Sequence, residues 1–542
     1  MSSRGTLEFN PFFNNLSMAQ ERYFCKVRKK DKRITIENIV VTDYAAQGKA
    51  LARHEGKVIF IEGAIPGDVV DLLLTKNKKD FAEARVLKLV TPSADRVTPF
   101  CMHFGVCGGC KWQMLPYEKQ LQYKQQEAEQ NLLRIGKVSG AQMLPIVGAD
   151  EQIYYRNKLE FTFSNKEYRV GPFTAPEGIE ATPMLPARGG NLEDINVDKS
   201  ESFFIENASS QTSPASPSLL GRIGEASSLG FHAPRVFDKT ISIFECFLMD
   251  EVNNRIRNGM REIALENNYP FYDIKEHTGW LRNLIIRYCT TGELMVNLCI
   301  NYKDEANTKI VMDALLAKVP EITTLLYTIN PKWNDTIYDL TPQVYFGKGY
   351  VTEKLENFEF IISPKSFFQT NTKQAEKLYS IARDFAQLTG NEVVYDLYCG
   401  TGSIGIFVSP QAKKIIGVEL IEDAIEDAKK NAAINNIAHA DFFAGDVIKI
   451  CNDAFFAEHG RPDVVITDPP RAGMHEKLVN KLLEIAAPVI VYVSCNTATM
   501  ARDILLLSEK YMVEKTQPVD MFPHTHHIEC VARLVLKTGK EA

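Results

Sequence analysis

Between Arg33 and Val90 apolar and polar residues alternate in short runs: Ile34–Glu37, Val58–Ile61, Val69–Leu72 and Ala84–Leu87. Gly63, Pro66-Gly67-Asp68 and Lys76-Asn77 punctuate them as turns. Short apolar, Val- and Ile-rich runs bounded by such residues predict strands. Roughly 60 residues of short strands suit a small barrel of the OB type, a common platform for single-stranded nucleic acid. Tyr117 to Leu133, rich in Gln and Glu, reads as a helix. Residues 152–164 and 281–301 return to strand patterns, as in Leu284-Ile285-Ile286-Arg287-Tyr288. Between them, residues 171–230 include the run Ala208–Ser218, dominated by small polar residues and proline. Such a stretch buries too little apolar area to fold alone and predicts an inserted, partly disordered loop. From Glu392 the texture changes. Val393–Leu397, Ile415–Glu419, Asp463–Thr467 and Val489–Val493 are apolar strands separated by helical patterns. That alternation predicts a mostly parallel, doubly wound α/β sheet of Rossmann-like form.

Length and composition set the frame for these elements. At ~100–200 residues per domain, 542 residues predict three to five domains. Apolar residues make up 45% and charged residues 24%, which excludes a mostly disordered chain and a disulfide-dense scaffold. The longest near-apolar run, about Ile485 to Cys495, falls short of the ~20 residues of a membrane-spanning helix. The first residues carry no apolar targeting core, so the expectation is a cytoplasmic protein with reduced thiols. Its eleven cysteines are then ligands, nucleophiles or core residues. The net charge of −6 hides a gradient. Residues 1–136 hold 21 Lys and Arg against 15 Asp and Glu, a net of +6, and the remainder is −12. The densest basic run is Lys26, Arg28, Lys29, Lys30, Lys32 and Arg33. A basic N-terminal part on an acidic body points to a polyanion-binding module. The expected division is a polar extension at 1–24, a barrel at 25–91, a mixed α+β central domain at 92–375 holding the 171–230 insert, and a Rossmann-like domain at 376–542.

Five motifs carry chemistry. Gly400-Thr401-Gly402-Ser403-Ile404-Gly405 follows one strand, and Glu419 closes the next. Glycines let the backbone approach a ligand, and the carboxylate suits ribose hydroxyls. This spacing serves NAD, FAD and S-adenosylmethionine alike. Asp468-Pro469-Pro470-Arg471 ends a later strand. Proline stiffens such a polar edge beside a flat base, and Arg471 in place of an aromatic residue argues against methylation of an exocyclic amine. Val493-Ser494-Cys495-Asn496 puts a nucleophile candidate on the same sheet edge. Phe522-Pro523-His524-Thr525-His526-His527-Ile528-Glu529 lacks metal-site spacing and offers Glu529 as a general base. Finally, Cys101-x5-Cys107-Gly108-Gly109-Cys110 is a metal or cluster signature. It needs a fourth ligand, with Cys246, Cys289 and Cys299 as candidates, and spacing alone leaves zinc or an Fe–S cluster open.

Together these motifs resemble the RNA uracil-5-methyltransferase family, which includes the 23S rRNA (uracil-5-)-methyltransferases. The resemblance covers roughly residues 30–170 and 231–542. The Cys101–Cys110 motif matches the family's Fe–S motif, and the barrel looks like its TRAM domain. Tyr155-Arg156-Asn157-Lys158 looks like its strand into the central domain. Phe367-Phe368-Gln369-Thr370-Asn371 matches the segment whose Gln contacts the methyl donor, and Asp396–Ser403 looks like the cofactor loop. Asp468–Gly473, Ser494–Asn496 and Phe522–Glu529 look like the catalytic segments. Two departures stand out: the long 171–230 insert, and Ser403 where some members have Asn.

The resemblance implies an S-adenosylmethionine-dependent enzyme that forms 5-methyluridine, with a [4Fe-4S] cluster on Cys101, Cys107, Cys110 and Cys246. Cys495 would be the nucleophile and Glu529 the base. Gln369, Tyr398, Ser403, Glu419, Asp446 and Asp468 would hold the donor. RNA is the implied partner, 23S rRNA ahead of tRNA, with no membrane or obligate protein partner and a monomeric state. A nucleotide-dependent Fe–S oxidoreductase is the remoter alternative, and it leaves Asp468–Arg471 and Ser494–Asn496 unexplained. A non-catalytic RNA-binding protein conflicts with intact Cys495 and Glu529. An RNA cytosine-5-methyltransferase commonly has a cysteine where Arg471 stands.

Overall fold

Six strands form the first sheet: β1 (Thr35–Val40), β2 (Asp43–Ala45), β3 (Lys49–His54), β4 (Lys57–Glu62), β5 (Val69–Asn77) and β6 (Phe81–Thr91), in the order β1-β5-β6-β4-β3-β2. The computed structural model describes residues 34–168 and 227–538. The extension at 1–24, the basic run and residues 171–226 of the expected insert lie outside the described residues. The end of that insert needs correction, because Ser228–Gly230 already belong to a strand. β2 and β3 were not expected. Lys49-Ala50-Leu51-Ala52-Arg53-His54 buries two alanines in place of β-branched residues, so its pattern is weak. Ala50, Ala52, Ile59, Ile61, Val70 and Leu72 make the barrel's own core.

The helix Tyr117–Arg134 and the short strand β7 (Gln142–Met143) come next. A seven-stranded central sheet follows: β8 (Lys158–Ser164), β9 (Ser228–His232), β10 (Thr240–Ser242), β11 (Leu281–Tyr288), β12 (Leu294–Ile300), β13 (Thr324–Ile329) and β14 (Gln343–Phe346). Its order is β10-β9-β8-β11-β12-β13-β14. The hairpin β15 (Val351–Leu355) and β16 (Phe358–Ile362) leads to the helix Thr372–Ala386.

The last sheet holds β17 (Val393–Leu397), β18 (Lys414–Glu419), β19 (Ala440–Ala444), β20 (Val464–Thr467), β21 (Val489–Ser494), β22 (Tyr511–Val519) and β23 (Glu529–Leu536). Its order is β19-β18-β17-β20-β21-β23-β22-β7. β17 to β21 run parallel, and β23 is antiparallel between β21 and β22. The strands are nearly continuous apolar runs because helices cover both faces. Strand order reverses between β18-β17 and β17-β20, and ligands of such sheets sit outside the carboxyl ends at that point. β7 closes the far edge by pairing with β22, and Leu132 of the helix Tyr117–Arg134 shares a core with Met500 and Ile504. The catalytic sheet therefore recruits residues 117–143 from within the expected central domain.

Candidate active site

Each strand of the switch region delivers one candidate residue. After β17 the backbone turns through Tyr398, Gly400 and Gly402, all at positive φ. A side chain on Gly402 would meet the Phe442 ring at 2.9 Å, whereas one on Gly400 would meet nothing within 4 Å. The loop is thus closed against the sheet at Gly402 and open at Gly400. Glu419, at the end of β18, fixes this opening: its Oε1 accepts from the Leu420 and Ile421 amides, and its Oε2 from the Gly400 amide at 3.3 Å. Beyond β20, Asp468 is half-buried, and burial pushes its carboxyl up to about 7.

The neighbouring strand ends bring the candidate nucleophile and base together. Ser494 of β21 pairs with Cys530 of β23, so Cys495 and Glu529 lie side by side at the sheet edge. The Arg471 carbonyl accepts from Asn496 Nδ2 at 3.2 Å and Thr499 Oγ1 at 3.3 Å, which latches the Asp-Pro-Pro-Arg turn to the Cys495 turn. Cys495 is partly exposed and Glu529 is buried. Burial, then the Glu529 and Asp468 charges, push the Cys495 thiol up to about 11, with Arg471 opposing. Burial and Asp468 hold the Glu529 carboxyl well above the usual carboxylate range, again against Arg471. Two acids and a thiol gathered near one exposed guanidinium, all with shifted protonation, make this strand-end cluster the candidate site.

The family model for tRNA (Uracil-5-)-methyltransferase matches residues 339–537, and the TRAM domain model matches residues 32–87. The uncharacterized RNA methyltransferase of Bacteroides thetaiotaomicron is 46% identical over 496 residues, covering 91% of this chain and 100% of its own length. That of Porphyromonas gingivalis is 45% identical over 502 residues, covering 92% and 99%. The chain belongs to the RNA uracil-5-methyltransferase family. It is an RNA methyltransferase, an enzyme whose substrate is RNA. In fold it is similar to the Pyrococcus abyssi tRNA (uracil-54, C5)-methyltransferase solved with S-adenosyl-L-homocysteine, at a TM-score of 0.64 and 24% identity over 92% of this chain and 99% of that one.

The donor pocket of this methyltransferase fits the group its family uses. Asp396 accepts the Gly405 amide at 2.8 Å through one oxygen and leaves the other buried without a partner. Tyr398 and Glu419 flank the open loop. Gln369 is half-buried and positioned by Asn157, whose Nδ2 donates to the Gln369 carbonyl at 3.0 Å and to Thr372 Oγ1 at 2.9 Å. Two motifs far apart in sequence thus form one clamp. Ser403 shares a hydrogen bond with Tyr379 at 3.1 Å, and Asp446 caps a short helix by accepting the Ile448 amide at 3.0 Å. Both have a structural partner already.

Sequence reasoning missed the support of the Glu529 loop. Lys124 Nζ donates to Asp520 Oδ1 at 2.6 Å with both side chains fully buried, and Tyr117 donates to Asp520 Oδ2 at 2.9 Å. Gln120 accepts the His524 amide at 2.8 Å, and Asn371 donates to the Met521 carbonyl at 2.9 Å. A lysine inside an amphipathic helix reads as solvated, so only the buried Asp520 reveals its role. The three histidines stay neutral: burial pulls His524 and His526 down to about 3 and His527 to about 4.

Cys101, Cys107, Cys110 and Cys246 line one cavity of ≈ 380 Å³, together with His103 and Arg156. Among the described residues no three His, Cys, Asp or Glu side chains converge as the ligands of a single metal ion. Burial pushes all four thiols up, so without a cationic centre they remain protonated. Cys289 and Cys299, the other two candidates for fourth ligand, lie in separate apolar clusters. Among the described residues no helix is long and apolar enough to cross a membrane.

Proposed function

We propose that this methyltransferase forms 5-methyluridine in RNA through a covalent adduct between Cys495 and uracil C6, with 23S rRNA as the substrate ahead of tRNA. The observation that carries the reading is that Cys495 and Glu529 flank the last pair of β21 and β23, Ser494 with Cys530, and sit close enough to Asp468 for its charge to act on both. S-adenosylmethionine, when bound, would supply the electrophilic methyl group. The Cys495 thiolate adds to C6, and the C5–C6 π electrons move onto O4 as an enolate. C5 would then take the methyl group as the methyl–sulfur bond of the donor breaks, its electron pair staying on the sulfur. Glu529 accepts the C5 proton, the C5–C6 double bond returns, and the C6–S bond breaks to release the thiolate. Gln369, Tyr398, Glu419 and Asp468 hold the donor, with lesser parts for Ser403 and Asp446. The uracil must leave its stack to reach Cys495.

The expected division at 25–91, 92–375 and 376–542 serves this reading: a barrel that grips RNA, a central domain that positions it, and a catalytic sheet. The four cysteines line one cavity, and the resemblance of their motif to the family's cluster motif supports a [4Fe-4S] cluster there. Cys101, Cys107, Cys110 and Cys246 would hold it as a structural or RNA-positioning element. A cytoplasmic monomer fits its many reduced thiols.

The test is methyl transfer from labelled S-adenosylmethionine to unmodified 23S rRNA fragments and tRNA, followed by nucleoside analysis. The expected product is 5-methyluridine in 23S rRNA, absent with Cys495→Ala. Product in tRNA alone would replace the substrate, and no labelled uridine in either would overturn the reading.

A further inference from the structure

Trp333 is the most exposed large apolar side chain among the described residues, at 76%. It lies on the loop between β13 and β14, stacked on His277 with ring centroids 4.8 Å apart and planes 7° from parallel.

This loop is built to hold it there. The buried Arg282 guanidinium donates to the carbonyls of Asn330, Lys332 and Asn334 and to Asp335 Oδ1. Its other face lies on the Tyr272 ring, 4.1 Å from the centroid, and the Tyr272 hydroxyl shares a hydrogen bond with His277 Nδ1 at 3.1 Å. One buried arginine therefore anchors both halves of the Trp333–His277 stack. Ile337 and Leu340 pin the far end of the loop against Ile285 and Cys299. The loop also touches the donor segment, because Lys365 Nζ donates to the Tyr338 carbonyl at 3.1 Å, four residues before Gln369. Tyr338 is itself 68% exposed.

We propose that Trp333 is a stacking platform for an unpaired base of the substrate RNA, outside the methylation pocket. The inference rests on RNA being the substrate. A rigid indole with one covered and one open face accepts any base, because each has a π-face. The nearby lysines are already ion-paired, Lys332 with Asp339 and Lys365 with Asp423, so the contact works by stacking and not by phosphate charge.

The chain offers a direct readout. Of its three tryptophans, Trp112 and Trp280 are each 1% exposed, so emission that RNA can quench by contact comes from Trp333. Full-length protein would be titrated with an unstructured single-stranded RNA and with a perfect duplex of equal length. The expected result is quenching by the single strand and not by the duplex, lost in Trp333→Phe. Trp333→Ala should weaken single-strand binding by roughly 5-fold or more, with Trp333→Phe within about 3-fold of wild type. The slope of affinity against salt should not change. In the methylation assay the KM for RNA rises while kcat and S-adenosylhomocysteine binding hold. RNA that binds without altering emission, or equally to Trp333→Ala, would overturn the platform alone. Failure of the protein to bind any RNA would overturn the substrate reading beneath it.

Discussion

Burial holds Cys495 and Glu529 toward their protonated forms, and the proposed chemistry needs both ionised. The free-enzyme kcat/KM should therefore climb with pH toward about 11, where the Cys495 thiol ionises. A plateau reached below pH 7 would show that other groups control the reaction. Asp468 carries a stability consequence of the same burial. Its carboxyl is raised to about 7 in the fold against about 3.9 in the unfolded chain. The folded state keeps this proton between the two values while the unfolded state loses it, so stability falls as pH rises through that window. Asp468→Asn should match wild type in urea unfolding near pH 4 and exceed it above pH 7, while losing donor binding. These residues were legible because each ends a strand within a short distinctive motif. Their protonation was not, since it depends on burial and on neighbours contributed by three strand ends.

At the scale of elements, the 520–529 loop is aimed by a helix nearly four hundred residues upstream. Lys124 and Asp520 are fully buried and bonded at 2.6 Å. Removing one partner leaves the other charge stranded, so Lys124→Met should cost about 3–5 kcal/mol in urea unfolding. A loss under 1 kcal/mol would mean that water reaches Asp520. The strands β17, β18, β20 and β21 could be read almost residue for residue, because a short continuous apolar run rich in Val and Ile, bounded by turn residues, fits a buried strand. β7, with two residues, and β3, with its alanines, carry too little hydrophobic signal. The pairing of β7 with β22 depends on tertiary contacts that no local pattern encodes.

For the whole molecule, the four-thiol cavity joins the Cys101–Gln113 segment to the central sheet and to Thr370, just ahead of the helix that leads into the last sheet. Protein purified without oxygen should carry iron and visible Fe–S absorbance. Cys246→Ser should lose both, and Cys299→Ser, inside its own apolar cluster, should keep them. Equal iron in the two variants would remove Cys246 from the ligand set. The first three cysteines were readable from spacing; the fourth lies far downstream and only the resemblance singled it out.

The covalent step is tested most directly by trapping it. Glu529→Gln keeps the nucleophile and removes the base, so methyl transfer can proceed while release of the C5 proton is slowed by roughly 10²–10⁴-fold. Incubated with S-adenosylmethionine and RNA, this variant should accumulate a methylated protein–RNA adduct that survives denaturation. Peptide mass spectrometry should place the adduct on Cys495, and adding Cys495→Ala should abolish it. Normal turnover by Glu529→Gln, or an adduct on another residue, would contradict the assignment.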